Sequence, residues 1–179
     1  MRVAINGFGR IGRSVFRILN AREDIDVIAI NDLYDDKVLT YLLKYDTVMS
    51  GFGQQVHLEK DFLITPNEKV KMLTVKDAKL YPWKELEIDV VIEATGVFRD
   101  RKSLQPHLDA GAKRVILTVP AKDEIDATIV VGVNDEELLP EHRIISNASC
   151  TTNCLAPMAK VLNDAFGIVE GLMTTTHAY

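Results

Sequence analysis

The segment SNASCTTNC, residues 146–154, surrounds two thiols, Cys150 and Cys154, with Ser, Thr and Asn, and the apolar run LAPMAKVLNDAF follows directly. Ser149 and Thr151 are good helix N-terminal residues. Cys150 is therefore expected at or beside a helix N-terminus, where the positive end of the helix dipole favours a thiolate. The surrounding hydroxyls and amides also suit an anion such as phosphate. Cys154, one turn further along the same helix, reads as structural. A thiolate nucleophile needs a base or an ion-pair partner. Of the four histidines, His57 lies in an expected hairpin, His107 beside Pro106 and His142 in the polar turn PEHR, and all three read as solvated. His177 stands in MTTTHAY, just after the Cys150 helix. A helix–loop–strand unit of that length returns beside the helix N-terminus, which makes His177 the candidate partner.

A second constellation lies at the other end of the chain. NGFGRIG (6–12) carries Gly7, Gly9 and Gly12 in G-x-G-x-x-G spacing, directly after a strand-like run and at the opening of a helical one. In that context the first glycine permits a tight turn, the second lets the backbone approach a pyrophosphate, and the third lets helix pack on strand. The amides of Arg10 and Ile11 then point at phosphate oxygens. Asp32, twenty positions after Gly12, ends the next strand-like run. Its carboxylate suits the hydroxyls of an adenosine ribose and repels a 2′-phosphate. Leu33, Tyr34, Asp35 and Asp36 follow it with no arginine among them, which favours NAD over NADP.

These residues need elements to hold them. RVAIN (2–6), DVIAIN (26–31), DVVIEAT (89–95), KRVILTVP (113–120) and TIVVGV (128–133) are short β-branched runs, and RIGRSVFRILNAR (10–22) and DDKVLTYLLKY (35–45) alternate with them at helical spacing. Strands apolar on both faces suit a parallel sheet covered by helices. The stretch 46–80 instead alternates polar and apolar residues around a Pro-Asn turn, which predicts a hairpin excursion. Pro106, inside the candidate helix RKSLQPHLDAG, is expected to kink it or confine it to one side. GLMTTTHAY (171–179) reads as a strand with no turn, cap or polar tail after it, so the chain is expected to break off within a second domain.

The 179 residues are 47% hydrophobic and 26% charged, with a net charge of −5. That balance, with no Lys/Arg run, argues against a nucleic-acid partner. No apolar stretch reaches membrane-span length, and MRVAING turns polar too early for a signal peptide. Two cysteines at C-x3-C spacing favour neither a disulfide framework nor a metal site. The expectation is a reduced, cytoplasmic protein without a metal.

AINGFGRIGR, AINDL, LLKYD, EATGVFRDR, SNASCTTNCLAP and TTTHAY, in that order along essentially the whole chain, resemble the phosphorylating glyceraldehyde-3-phosphate dehydrogenases. The resemblance implies an α/β fold: a Rossmann-type doubly wound parallel sheet with a hairpin excursion over residues 1–148, then the beginning of an α+β catalytic domain over 149–179. It implies Cys150 as nucleophile and His177 as its activating histidine. Gly7, Gly9, Arg10, Ile11, Gly12 and Asp32 would contact NAD. Lys76 would contact the adenine side through its backbone, and Thr118 would lie near the nicotinamide. Ser149 and Thr151 would bind substrate or inorganic phosphate. The implied reaction converts glyceraldehyde 3-phosphate to 1,3-bisphosphoglycerate through a thiohemiacetal and a thioester, with hydride transfer to NAD. The complete protein would be a glycolytic homotetramer. Two alternatives stand beside this one: an erythrose-4-phosphate dehydrogenase, or a chain that binds NAD without catalysis.

Overall fold

The computed structural model describes residues 1–178. Its strands are β1 (Arg2–Asn6), β2 (Asp26–Asn31), β3 (His57–Glu59), β4 (Phe62–Ile64), β5 (Lys69–Leu73), β6 (Val90–Glu93), β7 (Arg114–Leu117), β8 (Ala127–Thr128) and β9 (Ile144–Ser146). The helices are α1 (Arg10–Leu19), α2 (Asp36–Lys44), α3 (Arg101–Asp109) and α4 (Cys150–Phe166). Among the described residues all the strands join one sheet in the order β3-β4-β5-β2-β1-β6-β7-β9-β8. Every neighbouring pair is parallel except β3–β4 and β4–β5. Those two antiparallel pairs form the expected excursion, and its last strand re-enters the sheet beside β2.

The sheet is buried on both faces because the inner positions of its central strands are apolar, with polar residues only at the strand ends. Val3 and Ile5 of β1 and Val90 and Ile92 of β6 pack with Phe16 of α1 and Leu39 and Leu43 of α2. The alternate residues Ala4 and Val91 point the other way, onto Trp83, Tyr81 and Ala112. Leu104 of α3 packs on Val115 and Leu117 of β7 and on Ile144 of β9. This is the doubly wound α/β arrangement.

Three local expectations change. Of TIVVGV only Thr128 lies in a strand, at the end of β8. Beyond it the Asn134 side chain accepts the Val130 amide and Gly132 takes φ 81°, which turns the chain out of the ladder. Helix α3 runs through Pro106 on both sides, so the proline does not confine it to one side, and the Ala110 amide donates to the Pro106 carbonyl. Proline removes its own donor, while the Asp100–Ser103 capping box secures the helix start. Residues 171–178 carry no regular secondary structure and are exposed, so the expected terminal strand is absent over them; Tyr179 lies outside the described residues. A strand is held by its ladder, and none of the described residues pairs with this segment. Helix α4 likewise buries no residue, and Pro157, Met158, Val161 and Leu162 form an apolar surface along it.

Candidate functional site

The glycine loop is built by close approach. Gly7 has φ 93°, and a Cβ there would lie 2.6 Å from the Thr95 amide nitrogen. A Cβ on Gly12 would lie 2.1 Å from the Gly7 carbonyl oxygen, so only glycine lets α1 start against the turn. A Cβ on Gly9 would meet nothing within 4 Å; it would project into open space beside the loop. Gly9 is also the N-cap of α1 and supplies no side-chain cap. The first amides of the helix, Arg10 and Ile11 among them, are left for an outside acceptor. Such an N-terminus favours an anion.

Asp32 closes the loop from the neighbouring strand. Its Oδ2 accepts the Phe8 amide at 2.6 Å and its Oδ1 the Tyr34 amide at 3.0 Å. These residues line a cleft of about 490 Å³ at the C-terminal ends of β1, β2 and β6. Asn6, Gly7, Gly9, Asp32, Lys76 and Thr95 contribute to its wall, with Tyr34, Val97 and Phe98 on the apolar side. Other concavities of similar size include one beside α3 and one between α1 and α2, the latter sharing only Arg10 with the glycine turn. The fit to a dinucleotide is therefore physical: a side-chain-free approach at Gly9, unpaired helix amides for a pyrophosphate, a carboxylate for a ribose and apolar walls for rings. Thr118, at the end of β7, does not line this cleft. Its hydroxyl donates to the Glu93 carbonyl at 3.1 Å.

The thiol stands where the sequence places it. Ser149 is the N-cap of α4 and its hydroxyl accepts the Thr152 amide at 2.9 Å, so Cys150 is the first residue of the helix. Ala148, buried, bends the chain between β9 and α4 in the left-handed region at φ 62°. The Asn153 side-chain amide donates to the Asn147 carbonyl at 2.6 Å and braces the same turn. His177 returns to this N-terminus without forming a strand: its Nε2 lies 3.3 Å from the Thr151 hydroxyl and 3.0 Å from that of Thr175. Cys150 and Cys154 are both free and exposed, so the reading of Cys154 as a structural residue changes.

Other histidines differ from expectation. His57 is exposed as expected, but His107 is fully buried, hydrogen-bonded to Trp83 and Glu93. His142 is half-buried and accepts the Leu139 amide at Nδ1. Asn6, Asn31 and Thr95 escaped the sequence reading of the cleft. Their signal was position: each ends, or follows within two residues, one of the three central strands, where an open parallel sheet places its ligands.

A doubly wound sheet with a glycine turn, a strand-end acid and a cleft at its switch point defines a dinucleotide-binding domain, here joined to a helix that presents a thiol. The chain belongs to the glyceraldehyde 3-phosphate dehydrogenase family. Residues 1–101 match the family's NAD binding domain and residues 149–179 its C-terminal domain. The chain is 54% identical over 180 residues to the glyceraldehyde-3-phosphate dehydrogenase of Thermotoga maritima, which covers 99% of this chain and 54% of the relative. It is 53% identical over 180 residues to glyceraldehyde-3-phosphate dehydrogenase 2 of Bacillus subtilis, covering 100% of this chain and 53% of the relative. Against the Mycolicibacterium smegmatis glyceraldehyde-3-phosphate dehydrogenase the identity is 51% over 187 residues, with 100% and 55% covered. The chain thus spans about half the length of the curated relatives it matches. No helix among the described residues is long and apolar enough to cross a membrane.

Proposed function

We propose that this chain carries the cofactor cleft and the nucleophile of an NAD-dependent phosphorylating glyceraldehyde-3-phosphate dehydrogenase. The observation that carries the reading is the meeting of Cys150, Thr151 and His177 at the N-terminus of α4, which follows β9 of the same sheet whose glycine turn lines the cleft. We divide the chain into a cofactor domain over 1–148 and the beginning of a catalytic domain over 149–179.

In this reading the Arg10 and Ile11 amides hold the pyrophosphate, with Gly7, Gly9 and Gly12 keeping the approach clear. Asp32 takes the adenosine ribose, the Lys76 backbone the adenine side, and Thr118 the region toward the nicotinamide. Bound NAD would supply the hydride acceptor. The Cys150 sulfur attacks the aldehyde carbon, and His177 takes the proton as the thiohemiacetal forms. Loss of hydride from that carbon leaves a thioester on Cys150. Ser149 and Thr151 present hydroxyls to inorganic phosphate, whose oxygen attacks the thioester carbonyl; the C–S bond breaks, the thiolate returns and 1,3-bisphosphoglycerate leaves. Sulfur suits this sequence because a thiolate is a better leaving group than an alkoxide and is far more available at neutral pH. We assign the complete protein to the cytoplasm as a homotetramer.

The test is NADH formation, followed by its absorbance, from NAD and glyceraldehyde 3-phosphate with and without inorganic phosphate. Phosphate-dependent turnover that is lost in Cys150→Ser supports the reading. A strong preference for erythrose 4-phosphate would move the substrate to the four-carbon sugar. NAD binding without turnover would favour the non-catalytic reading, which the wholly unburied α4 motivates. A chain that binds no NAD would overturn both.

A further inference from the structure

Glu93, the last residue of β6, is fully buried, and no Lys or Arg among the described residues forms an ion pair with it. Four donors converge on its carboxylate. Oε2 accepts Nδ2 of Asn6 at 2.6 Å and Nε2 of His107 at 3.0 Å. Oε1 accepts the Thr95 amide at 2.9 Å and the Thr95 hydroxyl. The direction of the histidine bond follows from Trp83, whose indole N–H can only donate and gives its proton to Nδ1 of His107 at 3.0 Å. Nδ1 is therefore bare and the imidazole proton sits on Nε2, facing Glu93. Asn6 is fixed in the same way: its Oδ1 accepts Nδ2 of Asn31 at 2.7 Å, which leaves its own Nδ2 for Glu93. Four neutral donors and no cation describe a solvated anion with protein groups in place of water.

The position of this charge in the sheet gives it a use. Strand β1 lies between β2 and β6. A dinucleotide with its adenosine ribose on Asp32 after β2, and its pyrophosphate at α1, extends its other half over β6. Ala94 and Thr95, directly after Glu93, line the cleft there. That other half ends in nicotinamide, which is a cation when oxidised and neutral when reduced.

We propose that Glu93 biases the cleft toward the oxidised dinucleotide, as a buried anion beneath the nicotinamide half. The inference rests on the reading that the cleft takes NAD. Across about 10 Å at an effective dielectric constant of about 20, the attraction is worth on the order of tenfold in affinity. The groups around Glu93 do not cancel it. His107 on α3 is a neutral donor, and Tyr81 stacks on that ring and touches Nδ2 of Asn6 through its hydroxyl. Burial, with the Glu93 charge adding, raises the Tyr81 pKa, so the phenol stays neutral. On β1 the contact is the Asn6 amide, and the Thr118 hydroxyl, just after β7, donates to the Glu93 backbone carbonyl.

The experiment measures dissociation constants for NAD, NADH and ADP-ribose by calorimetry on the wild-type chain, Glu93→Gln and Thr95→Val. In Glu93→Gln the preference for NAD over NADH should fall by about tenfold, with ADP-ribose affected least. Thr95→Val keeps the charge and loses one donor, so it should weaken NAD and NADH in equal proportion. Equal loss of NAD and NADH in Glu93→Gln, or an equal change of the ratio in Thr95→Val, overturns the proposal. If Glu93→Gln does not fold by circular dichroism, Glu93→Asp decides. It keeps the charge on a shorter side chain, so both affinities should fall while the NAD/NADH preference holds within about twofold. A preference lost in Glu93→Asp overturns the proposal as well. A wild-type chain that binds none of the three ligands would instead sink the reading of the cleft itself.

Discussion

The Asp32 carboxylate accepts the Phe8 amide at 2.6 Å, so the acid at the end of β2 and the glycine turn after β1 form one unit. The same carboxylate that would read a ribose also holds the turn in place. Asp32→Ala should therefore lower NAD affinity by at least about tenfold and destabilise the fold by about 1 kcal/mol, the net worth of a lost hydrogen bond. NADP affinity should fall less, because a repelling charge leaves with the ribose acceptor. Parallel titrations with both dinucleotides check this; an equal fall in the two would restrict Asp32 to bracing the loop.

Gly9 and Gly12 separate ligand space from packing space. Gly12→Ala drives a Cβ to 2.1 Å from the Gly7 carbonyl and should lower stability by about 1–3 kcal/mol. Gly9→Ala meets no protein atom within 4 Å and should change stability by less than about 1 kcal/mol, while NAD binding falls sharply. Thermal melts and NAD titrations of both variants test the pair. NAD bound at wild-type strength by Gly9→Ala would mean that no phosphate approaches that residue.

Both thiols are exposed, so access does not separate them. Their places on α4 do: Cys150 is the first residue of the helix and Cys154 lies one turn inside. Iodoacetamide at pH 7 should alkylate Cys150 at least about tenfold faster, read by peptide mass spectrometry, because helix N-termini favour thiolate. His177→Ala should slow Cys150 alone, since Nε2 of His177 lies beside Thr151. Equal rates for the two thiols would return Cys150 to an ordinary exposed cysteine.

Asp126 carries an acid-sensitive share of the stability. Burial pushes its carboxyl up, but the Arg101 guanidinium at 2.6 Å and the amides of Ile144 and Arg143 outweigh burial and hold it down to about 2. A carboxylate depressed in the folded state stabilises above its unfolded value of about 3.9 and loses that contribution as pH falls toward 2. The Asp126 side chain is 22% exposed and that of Arg101 42%. Screening at Arg101 therefore trims the share to about 1–2 kcal/mol. Asp126→Asn should be less stable than wild type by that amount at pH 7, and denaturant titrations should find the gap closing between pH 4 and pH 2. A gap that persists at pH 2 would assign the loss to packing.

Legibility in the sequence tracked the range of the interactions involved. The helix start at Gly12 and the N-terminus at Cys150 were readable because their causes are local: a clash with the Gly7 carbonyl five residues back, and a Ser149 cap three residues from the amide it holds. His107 was misread because its polar neighbours suggest a surface. Its real partners, Glu93 and Trp83, are 14 and 24 residues away, and only the sheet brings them together. The expected strand is absent over 171–178 for the complementary reason. A run of threonines carries β propensity, but a strand exists through neighbours that propensity does not supply. At the cleft, the glycines and Asp32 carry a spacing signature, whereas Asn6, Asn31 and Thr95 are marked only by where their strands end.

The central place of β1 also sets a timetable for synthesis. Residues 2–6 leave the ribosome well before the strands they pair with, and Asn6 finds its Glu93 partner 87 residues later. At roughly 5–20 residues per second that is a wait on the order of 4–17 s. Strand β2 arrives far sooner and can shield one edge of β1, but the other edge stays open until β6 emerges. Nascent chains arrested before β6 should accordingly be digested readily by protease and retained by chaperones, and those arrested after β7 should resist. Equal resistance at both points would mean that the first two strands and α1 already form a stable nucleus.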